Sequence, residues 1–239
     1  MIRNFPTAIN HFILITGLAV MIVPVWIIFA SSTHTSLFIN TNGLQFFLGD
    51  NFLDNYSRVL YKKAGFFNEI TALKMFLNSF IMATGIAVLS VVTSLMAAYG
   101  LVYFRIKYAS FFFWLIFITL LVPLELRIMP SYIVMSKLGL VNSYVGLILP
   151  ISASAIATFF FRQFYKSIPE ELLEAAKLDG TGSWKFFIDF LVPLSKTMIA
   201  AVFIFMFVFG YNQYLWPLIM TTTEQYWTVV MGLKTMYGS

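Results

Sequence analysis

Long apolar runs separated by short polar segments organise this 239-residue chain. A helix needs roughly 20 apolar residues to cross the hydrocarbon core of a bilayer. Five runs reach that scale, at residues 11–30, 75–104, 108–126, 140–161 and 197–218. The pattern predicts an all-α membrane protein, a transmembrane helix bundle in which residues 1–239 form a single domain.

The first run has an alternative interpretation as a secretory signal peptide. It is longer than the roughly 7–15 residues of a signal's apolar core, and Ser31-Ser32-Thr33 is a poor cleavage site. We therefore predict that residues 11–30 are retained as the first span.

Composition supports the prediction of a membrane protein and excludes several kinds of catalytic and metal-binding site. The chain is 60% hydrophobic and 10% charged, whereas soluble domains are about 25% charged. It has no cysteine and only two isolated histidines, His11 and His34, which excludes disulfides and thiolate metal sites. No catalytic, phosphate-binding-loop or metalloprotease motif is present, and no basic patch suggests nucleic acid. We predict no catalytic residue, no metal and no cofactor.

The second run is rich in small residues, and this predicts an interior position. Small side chains let helices approach closely in lipid. The small residues of the run are Ser79, Ala83, Gly85, Ala87, Ser90, Ser94, Ala97, Ala98 and Gly100.

The most polar stretch, residues 167–180, is predicted to form a short helix outside the lipid. Ser167 is placed as its N-cap, and Glu170 three residues later completes a capping box. Pro169 fits the first turn, and Gly180 fits a C-terminal stop. A capped acidic helix between two membrane-length runs is expected to face a protein partner.

Basic residues indicate the orientation of the chain. One side of the predicted membrane carries Arg3, Arg105, Lys107, Arg162, Lys166, Lys177, Lys185 and Lys196, and the other carries Arg58, Lys62, Lys63, Lys137 and Lys234. The positive-inside rule places the first set in the cytoplasm. The N-terminus and the loop 162–195 are therefore predicted to be cytoplasmic.

Two groups of residues are candidates for a substrate pathway. Glu125 and Arg127 are charged residues at the end of the third run, where they could pair locally, reach the interface or face a cavity. An arginine in a cavity would suit an anion, because its planar fork donates two hydrogen bonds.

The second group is Tyr211, Asn212, Gln213 and Trp216, in an otherwise apolar stretch. Amides there could join helices or line a polar pathway, and the aromatic residues could form an interfacial belt.

The segment Glu174-Ala175-Ala176-Lys177-Leu178-Asp179-Gly180, followed by Phe186, Pro193 and Leu194, resembles the EAA signature of inner-membrane permeases of bacterial ABC importers. Wider stretches resemble the second permease of the carbohydrate-type importers. The resemblance is strongest to the second permease of importers for sn-glycerol-3-phosphate. These stretches include Phe112-Phe113-Trp114, residues 123–128, Phe161-Arg162-Gln163-Phe164 and residues 211–218.

The resemblance implies a coupling helix seated in a cytoplasmic ATPase dimer, where ATP hydrolysis takes place on a separate subunit. The implied ATPase-coupling residues are Glu170, Glu171, Glu174, Ala175, Ala176, Asp179 and Gly180. In this family Glu174 would contact the ATPase, and Ala175 and Ala176 would permit close approach. The other implied partners are a homologous sister permease, a periplasmic substrate-binding protein and membrane lipid.

The resemblance also implies a substrate and a location. It implies import of sn-glycerol-3-phosphate or a related phosphate ester across the bacterial inner membrane. A neutral-sugar importer and, in another class, a gradient-driven secondary transporter are the alternatives. The type I importer permeases usually have six spans, so the resemblance implies a sixth span that is missing from the five visible here.

Overall fold

The computed structural model describes residues 7–61, 70–104 and 106–238, and every regular element in those ranges is a helix. The chain divides into two compact units, Met1–Thr71 and Ala72–Ser239. Arg3, Lys62, Lys63 and Arg105, which contributed to the predicted orientation, lie outside the described residues.

The first unit contains α1 (Thr7–Ser32), α2 (Ser36–Asn42) and α3 (Phe52–Tyr61). Polar side chains hold the segment that follows α1 in a folded turn. Asn55 donates from Nδ2 to the carbonyl oxygens of Ser32 and His34, at 2.9 and 2.8 Å. Thr33 Oγ1 accepts a 2.6 Å hydrogen bond from the Gly49 N–H.

The second unit contains the remaining helices. They are α4 (Ala72–Tyr103), α5 (Ala109–Ile118), α6 (Leu124–Lys137), α7 (Tyr144–Ser152), α8 (Ala155–Ser167), α9 (Glu170–Leu178), α10 (Ser183–Phe186), α11 (Val192–Leu194), α12 (Lys196–Tyr211), α13 (Leu215–Met220) and α14 (Val229–Gly238). Short 3₁₀ turns follow α5 and α13, at Thr119–Leu121 and Glu224–Tyr226. A π-helical turn at Phe187–Leu191 joins α10 to α11.

Helix α4 is the centre of the second unit, as its small residues predicted. It packs against α7, α8, α12 and α14. Its buried small residues are Ser79, Ala83, Ala87, Ser90, Ser94 and Ala98. A Cβ on Gly210 of α12 would come within 3.2 Å of the Ala83 Cα, so the α4–α12 contact depends on small residues from both helices.

Within the described residues, two helices are long and apolar enough to cross a membrane alone, Ile9–Ser32 and Ala72–Tyr103. Three further candidates are pairs of helices bent by 102°, 48° and 74°. The chain therefore offers up to five spans if each bent pair is counted as one span. The assignment of these helices to the bilayer remains a prediction.

The predicted run 108–126 is not one helix. Helix α5 and the 3₁₀ turn that follows it end at Leu121, and the chain turns by 102° before α6. Val122 has an extended backbone (ψ 113°), as expected for a residue that precedes a proline. Arg127 therefore belongs to α6 and not to the end of α5.

The predicted run 140–161 is also interrupted. Helix begins only at Tyr144, and a bend of 48° at Ala153-Ser154 separates α7 from α8. Ala153 is extended (ψ 95°), and the Ser154 hydroxyl accepts from the Ala157 N–H to cap the new helix.

Helical structure also deviates from the prediction around α12. The chain remains helical through Pro193 and bends by 74° at Ser195, before the predicted run 197–218 begins. A π-helical turn ends at Leu191, shortly before this bend, and such turns are a known cause of kinks. The run 197–218 is interrupted after Tyr211. A continuous helix would need an N–H of residue 217 to donate to the Gln213 carbonyl, and Pro217 has none.

Candidate transport cavity and coupling helix

A cavity of about 300 Å³ lies where the bent helix pairs meet in the second unit. It is bounded by the ends of α5 and α7, the starts of α6 and α8, and one face of α12. Its lining is Thr119, Leu120, Val122, Pro123, Leu124, Arg127, Pro150, Ile151, Ala153, Ser154, Ala155, Ile156, Phe205, Met206 and Phe209. Arg127 is the one charged residue among these lining residues.

The sharp turn at Pro123 brings Arg127 to this cavity. Helix α6 starts at Leu124, so Arg127 lies in its first turn and faces α7 and α12 across the space. Within the described part of the chain, no ion pair joins Arg127 to Glu125. Glu125 is exposed and does not line the cavity. The structure therefore brings Arg127 to the candidate site and leaves Glu125 outside it.

The break between α7 and α8 forms one wall of the cavity, and hydroxyl groups of α4 support it. Ser90 Oγ donates to the Ser152 carbonyl at 2.7 Å, and Ser94 Oγ donates to the Ser154 carbonyl at 3.2 Å. Thr158 Oγ1 donates in turn to Ser94 Oγ at 3.2 Å. Because a carbonyl freed from a helix is costly to bury, these donors stabilise the break.

Trp216 has a structural role in addition to its proximity to Arg127. It is buried, and its Nε1 donates to the Leu147 carbonyl at 3.1 Å, which fixes α13 to α7. A small second cavity of about 30 Å³ is lined by both Trp216 and Arg127. Of the four predicted pathway residues in this stretch, Trp216 is the one that adjoins a described cavity.

The other residues of that group do not line either space. Asn212 Nδ2 donates to the Val208 carbonyl at 2.8 Å, and Gln213 Nε2 donates to the Phe209 carbonyl at 3.2 Å. These amides satisfy the last carbonyls of their own helix, an alternative that was not among the predictions. Tyr211 is half-buried and stacks on Phe207 with ring centroids 5.9 Å apart.

The structure contains the predicted acidic helix, α9, but the capping box predicted for Ser167 and Glu170 is wrong. Ser167 is the last residue of α8, and its hydroxyl donates to the Phe164 carbonyl at 2.7 Å. Ile168 is extended (ψ 128°) because it precedes a proline. The helix consequently starts at Glu170, with Pro169 at the N-cap position and no side-chain cap.

The C-terminal stop of α9 is confirmed at Gly180. Its φ of +72° is a left-handed conformation that glycine adopts without a Cβ penalty. The Thr181 N–H donates to the Ala176 carbonyl at 2.9 Å, and the Gly180 N–H donates to the Lys177 carbonyl at 3.0 Å. This paired arrangement is a Schellman motif and fixes the exit of the chain from α9.

The two faces of α9 differ in exposure. Glu170, Glu171, Glu174, Ala175 and Asp179 are exposed, so an acidic surface is available to a partner. Ala176 is 3% exposed and packs against the core of the second unit. Its small side chain lets α9 lie close to its own bundle. A contact of Ala176 with the ATPase stays a prediction.

Two groups of residues near these sites were not predicted from the sequence as functional candidates. Ser90 and Ser94 were recognised only as small, although their spacing of four residues places both on one face of α4. Tyr99 Oη donates to the Ser183 carbonyl at 2.7 Å, close to the exit of α9. A tyrosine in an aromatic-rich apolar run carries no local signal of such a bond.

Comparison with known proteins places this arrangement in a family. The chain is 42% identical over 234 residues to the sn-glycerol-3-phosphate transport system permease protein UgpE of Brucella abortus (strain 2308), and this match covers 98% of the chain and 83% of the relative. It is 41% identical over 241 residues to the UgpE protein of Escherichia coli (strain K12), covering 100% and 85%.

The fold is shared with a solved transporter. A chain of the crystal structure of a bacterial ABC transporter involved in the import of the acidic polysaccharide alginate superposes with a TM-score of 0.80. The match covers 96% of this chain and 79% of that one at 23% identity, so it confirms the predicted all-α permease fold. The family described as "Binding-protein-dependent transport system inner membrane component" matches residues 90–238. The chain therefore belongs to this family, the inner-membrane permeases of bacterial ABC importers.

Proposed function

We propose that this permease imports sn-glycerol-3-phosphate or a closely related phosphate ester, and that the substrate passes through the cavity that Arg127 lines. The observation that carries the proposal is this single cation in an otherwise uncharged lining. Relatives that are 41–42% identical over nearly the whole chain are named for transport of sn-glycerol-3-phosphate, and this supports the same substrate.

The chemistry of the cavity suits a small anionic ester. Arginine can donate two parallel hydrogen bonds to a phosphate group and keeps its charge at any physiological pH. The first turn of α8 also borders the space at Ala155 and Ile156, and the N-terminal end of a helix favours negative charge. The volume of about 300 Å³ is at the lower end of the range for small-molecule sites, about 300–1,000 Å³.

Energy for import enters, in this proposal, through α9. Its exposed carboxylates at Glu170, Glu171, Glu174 and Asp179 form the surface that docks on a separate cytoplasmic ATPase. This requires α9 and the N-terminus to lie in the cytoplasm. A sister permease completes the membrane assembly, and a periplasmic binding protein delivers the substrate to the opposite side.

Replacing Arg127 with Leu tests the substrate assignment in the complete transporter. We expect uptake of sn-glycerol-3-phosphate at low substrate concentration to fall at least about tenfold, the size of effect expected for losing a charged hydrogen-bonding group of about 1.5–3 kcal/mol. Arg127→Lys should retain part of the uptake, because it keeps the charge and loses the fork.

Lys137→Leu is the matched control, since Lys137 is an exposed cation on the same helix and does not line the cavity. It should transport normally. Unchanged phosphate-ester uptake by Arg127→Leu would overturn the proposed pathway. Preferential uptake of a neutral sugar by the unmodified transporter would overturn the proposed substrate.

A further inference from the structure

The turn that follows α9 is tied to the end of α4 by a hydrogen bond that no sequence motif indicates. Tyr99 is buried, and its hydroxyl donates to the Ser183 carbonyl at 2.7 Å. Ser183 is the first residue of α10, three residues after Gly180 ends α9. The bond therefore joins the central helix of the bundle to the exit of the acidic helix.

Aromatic rings surround this bond and connect the same elements. The Tyr99 ring lies 4.9 Å from that of Phe187, measured between centroids. Tyr103, one turn further along α4, lies 5.6 Å from Phe186 and 5.9 Å from Tyr165 of α8. Rings at these separations attract each other and so help to hold together the helices that carry them.

A small space separates α9 itself from α4. It has a volume of about 70 Å³ and is bordered by Tyr99, Tyr103, Leu173, Ala176 and Lys177, among others. Beside this space, the hydrogen bond at Ser183 and the neighbouring rings connect the exit of α9 to α4.

From this arrangement we propose that Tyr99 is a positioning residue that transmits displacement of α9 to α4. The proposal rests on the proposed role of α9 as the ATPase-docking helix. Ser90 and Ser94, which support the broken α7–α8 segment, lie on the same helix within about 14 Å of Tyr99 along the axis. A continuous physical path then leads from α9 through Ser183, Tyr99 and α4 to the cavity wall.

The test is Tyr99→Phe in the complete, reconstituted transporter, because this change removes the hydroxyl and keeps the ring. Substrate uptake and ATP hydrolysis are measured together and normalised to assembled complex. We expect the number of substrate molecules imported per ATP to fall about three- to tenfold, which corresponds to the loss of one neutral hydrogen bond. A purely structural role would lower the amount of complex and leave this ratio unchanged.

Two control variants match the change. Ser183→Ala removes the hydroxyl of Ser183 and keeps the carbonyl that accepts the bond, so its import-to-ATP ratio should equal that of the unmodified transporter. Tyr108→Phe removes the hydroxyl of an exposed tyrosine outside the aromatic group and should also have no effect. A fall in the ratio as large in Tyr108→Phe as in Tyr99→Phe would overturn the proposal.

A cross-linking measurement separates failure of this proposal from failure of the proposed function. Because the chain has no cysteine, Glu174→Cys creates a single thiol that a thiol-to-amine reagent can join to the ATPase. Cross-linking with a reduced ratio in Tyr99→Phe supports the proposal, whereas cross-linking with an unchanged ratio overturns the role of Tyr99 alone. No cross-link to the ATPase overturns the docking role of α9 and this inference with it.

Discussion

Helix α4 connects two regions of the second unit that differ in chemistry. One is the cavity region around Ser90 and Ser94, and the other is the proposed coupling region around Tyr99, Tyr103 and α9. At the cavity, α4 presents small hydroxyl side chains, Ser90 and Ser94, to carbonyls of a broken helix pair. At the coupling end it presents Tyr99 and Tyr103 to a group of aromatic rings. Short hydroxyl bonds allow irregular backbone to border a cavity, whereas packed rings make a stiff connection to α9.

In the proposed function, the same difference separates selection of the substrate from the supply of energy. Arg127 provides the charge of the cavity lining, and α9 carries a group of exposed carboxylates. Changes in the cavity region should therefore affect which substrate is carried, and changes in the coupling region should affect how much ATP each transported molecule requires.

The largest effect is expected from added volume at Gly146 of α7, the helix whose end borders the cavity. A Cβ on Gly146 would overlap the Leu140 carbonyl oxygen and lie 2.6 Å from Met220 Cε. Gly146→Ala should destabilise the permease by about 1–3 kcal/mol through overpacking. The measurement is thermal unfolding of the purified protein in detergent.

Gly100→Ala is the control at the coupling end of α4, because a Cβ there meets no atom within 4 Å. It should be neutral or slightly stabilising, since alanine favours helix by up to about 1 kcal/mol. Equal unfolding temperatures for the two variants would contradict the close approach at Gly146.

A smaller effect is expected from removing a donor at the broken helix pair. Ser90→Ala deprives the Ser152 carbonyl of its 2.7 Å hydrogen bond and should cost about 0.5–1.5 kcal/mol, the net contribution of one neutral hydrogen bond. Uptake per complex should fall, and the unfolding temperature should decrease.

Thr93→Val on the same helix is the comparison for Ser90→Ala. Thr93 is exposed, and its hydroxyl donates to the Leu89 carbonyl of its own helix at 2.7 Å. Thr93→Val should change the free energy of unfolding by less than about 0.5 kcal/mol. If Thr93→Val were as damaging as Ser90→Ala, the hydroxyl support of the α7–α8 break would have no special importance.

The smallest effect is expected at the acidic surface of α9. Glu174→Gln should weaken association with the ATPase by about 0.2–1 kcal/mol, as for an exposed ion pair, and the loss should diminish at high salt. Association is measured by titrating the ATPase onto membranes that contain the permease. Asp189→Asn, an exposed acid outside α9, should have no effect, and a larger loss there than at Glu174 would contradict the proposed docking surface.

Local sequence signals predicted the features that depend on local chemistry. The small residues of α4 predicted a central helix, and Gly180 predicted the end of α9, because close packing and a left-handed stop each require a small residue at that position. The capping box at Ser167 was wrong since the proline at 169 imposes an extended residue before it.

The interruptions of the apolar runs could not be placed in the same way. No proline or glycine stands at Ala153 and Ser154, and the break there is stabilised by Ser90 and Ser94, about sixty positions earlier in the chain. The cavity exists because of these breaks, so its lining could not be assembled from the sequence. Arg127 was identified by its charge, whereas its neighbours came from tertiary packing.

The most direct test compares Arg127→Leu and Tyr99→Phe in one reconstituted system, by measuring both half-saturation for sn-glycerol-3-phosphate and molecules imported per ATP. Separate roles predict that Arg127→Leu raises the half-saturating concentration and keeps the import-to-ATP ratio, whereas Tyr99→Phe lowers the ratio and keeps half-saturation. If both variants changed the same quantity, or if Arg127→Leu changed neither, the division between a selecting cavity and a coupling end would be contradicted.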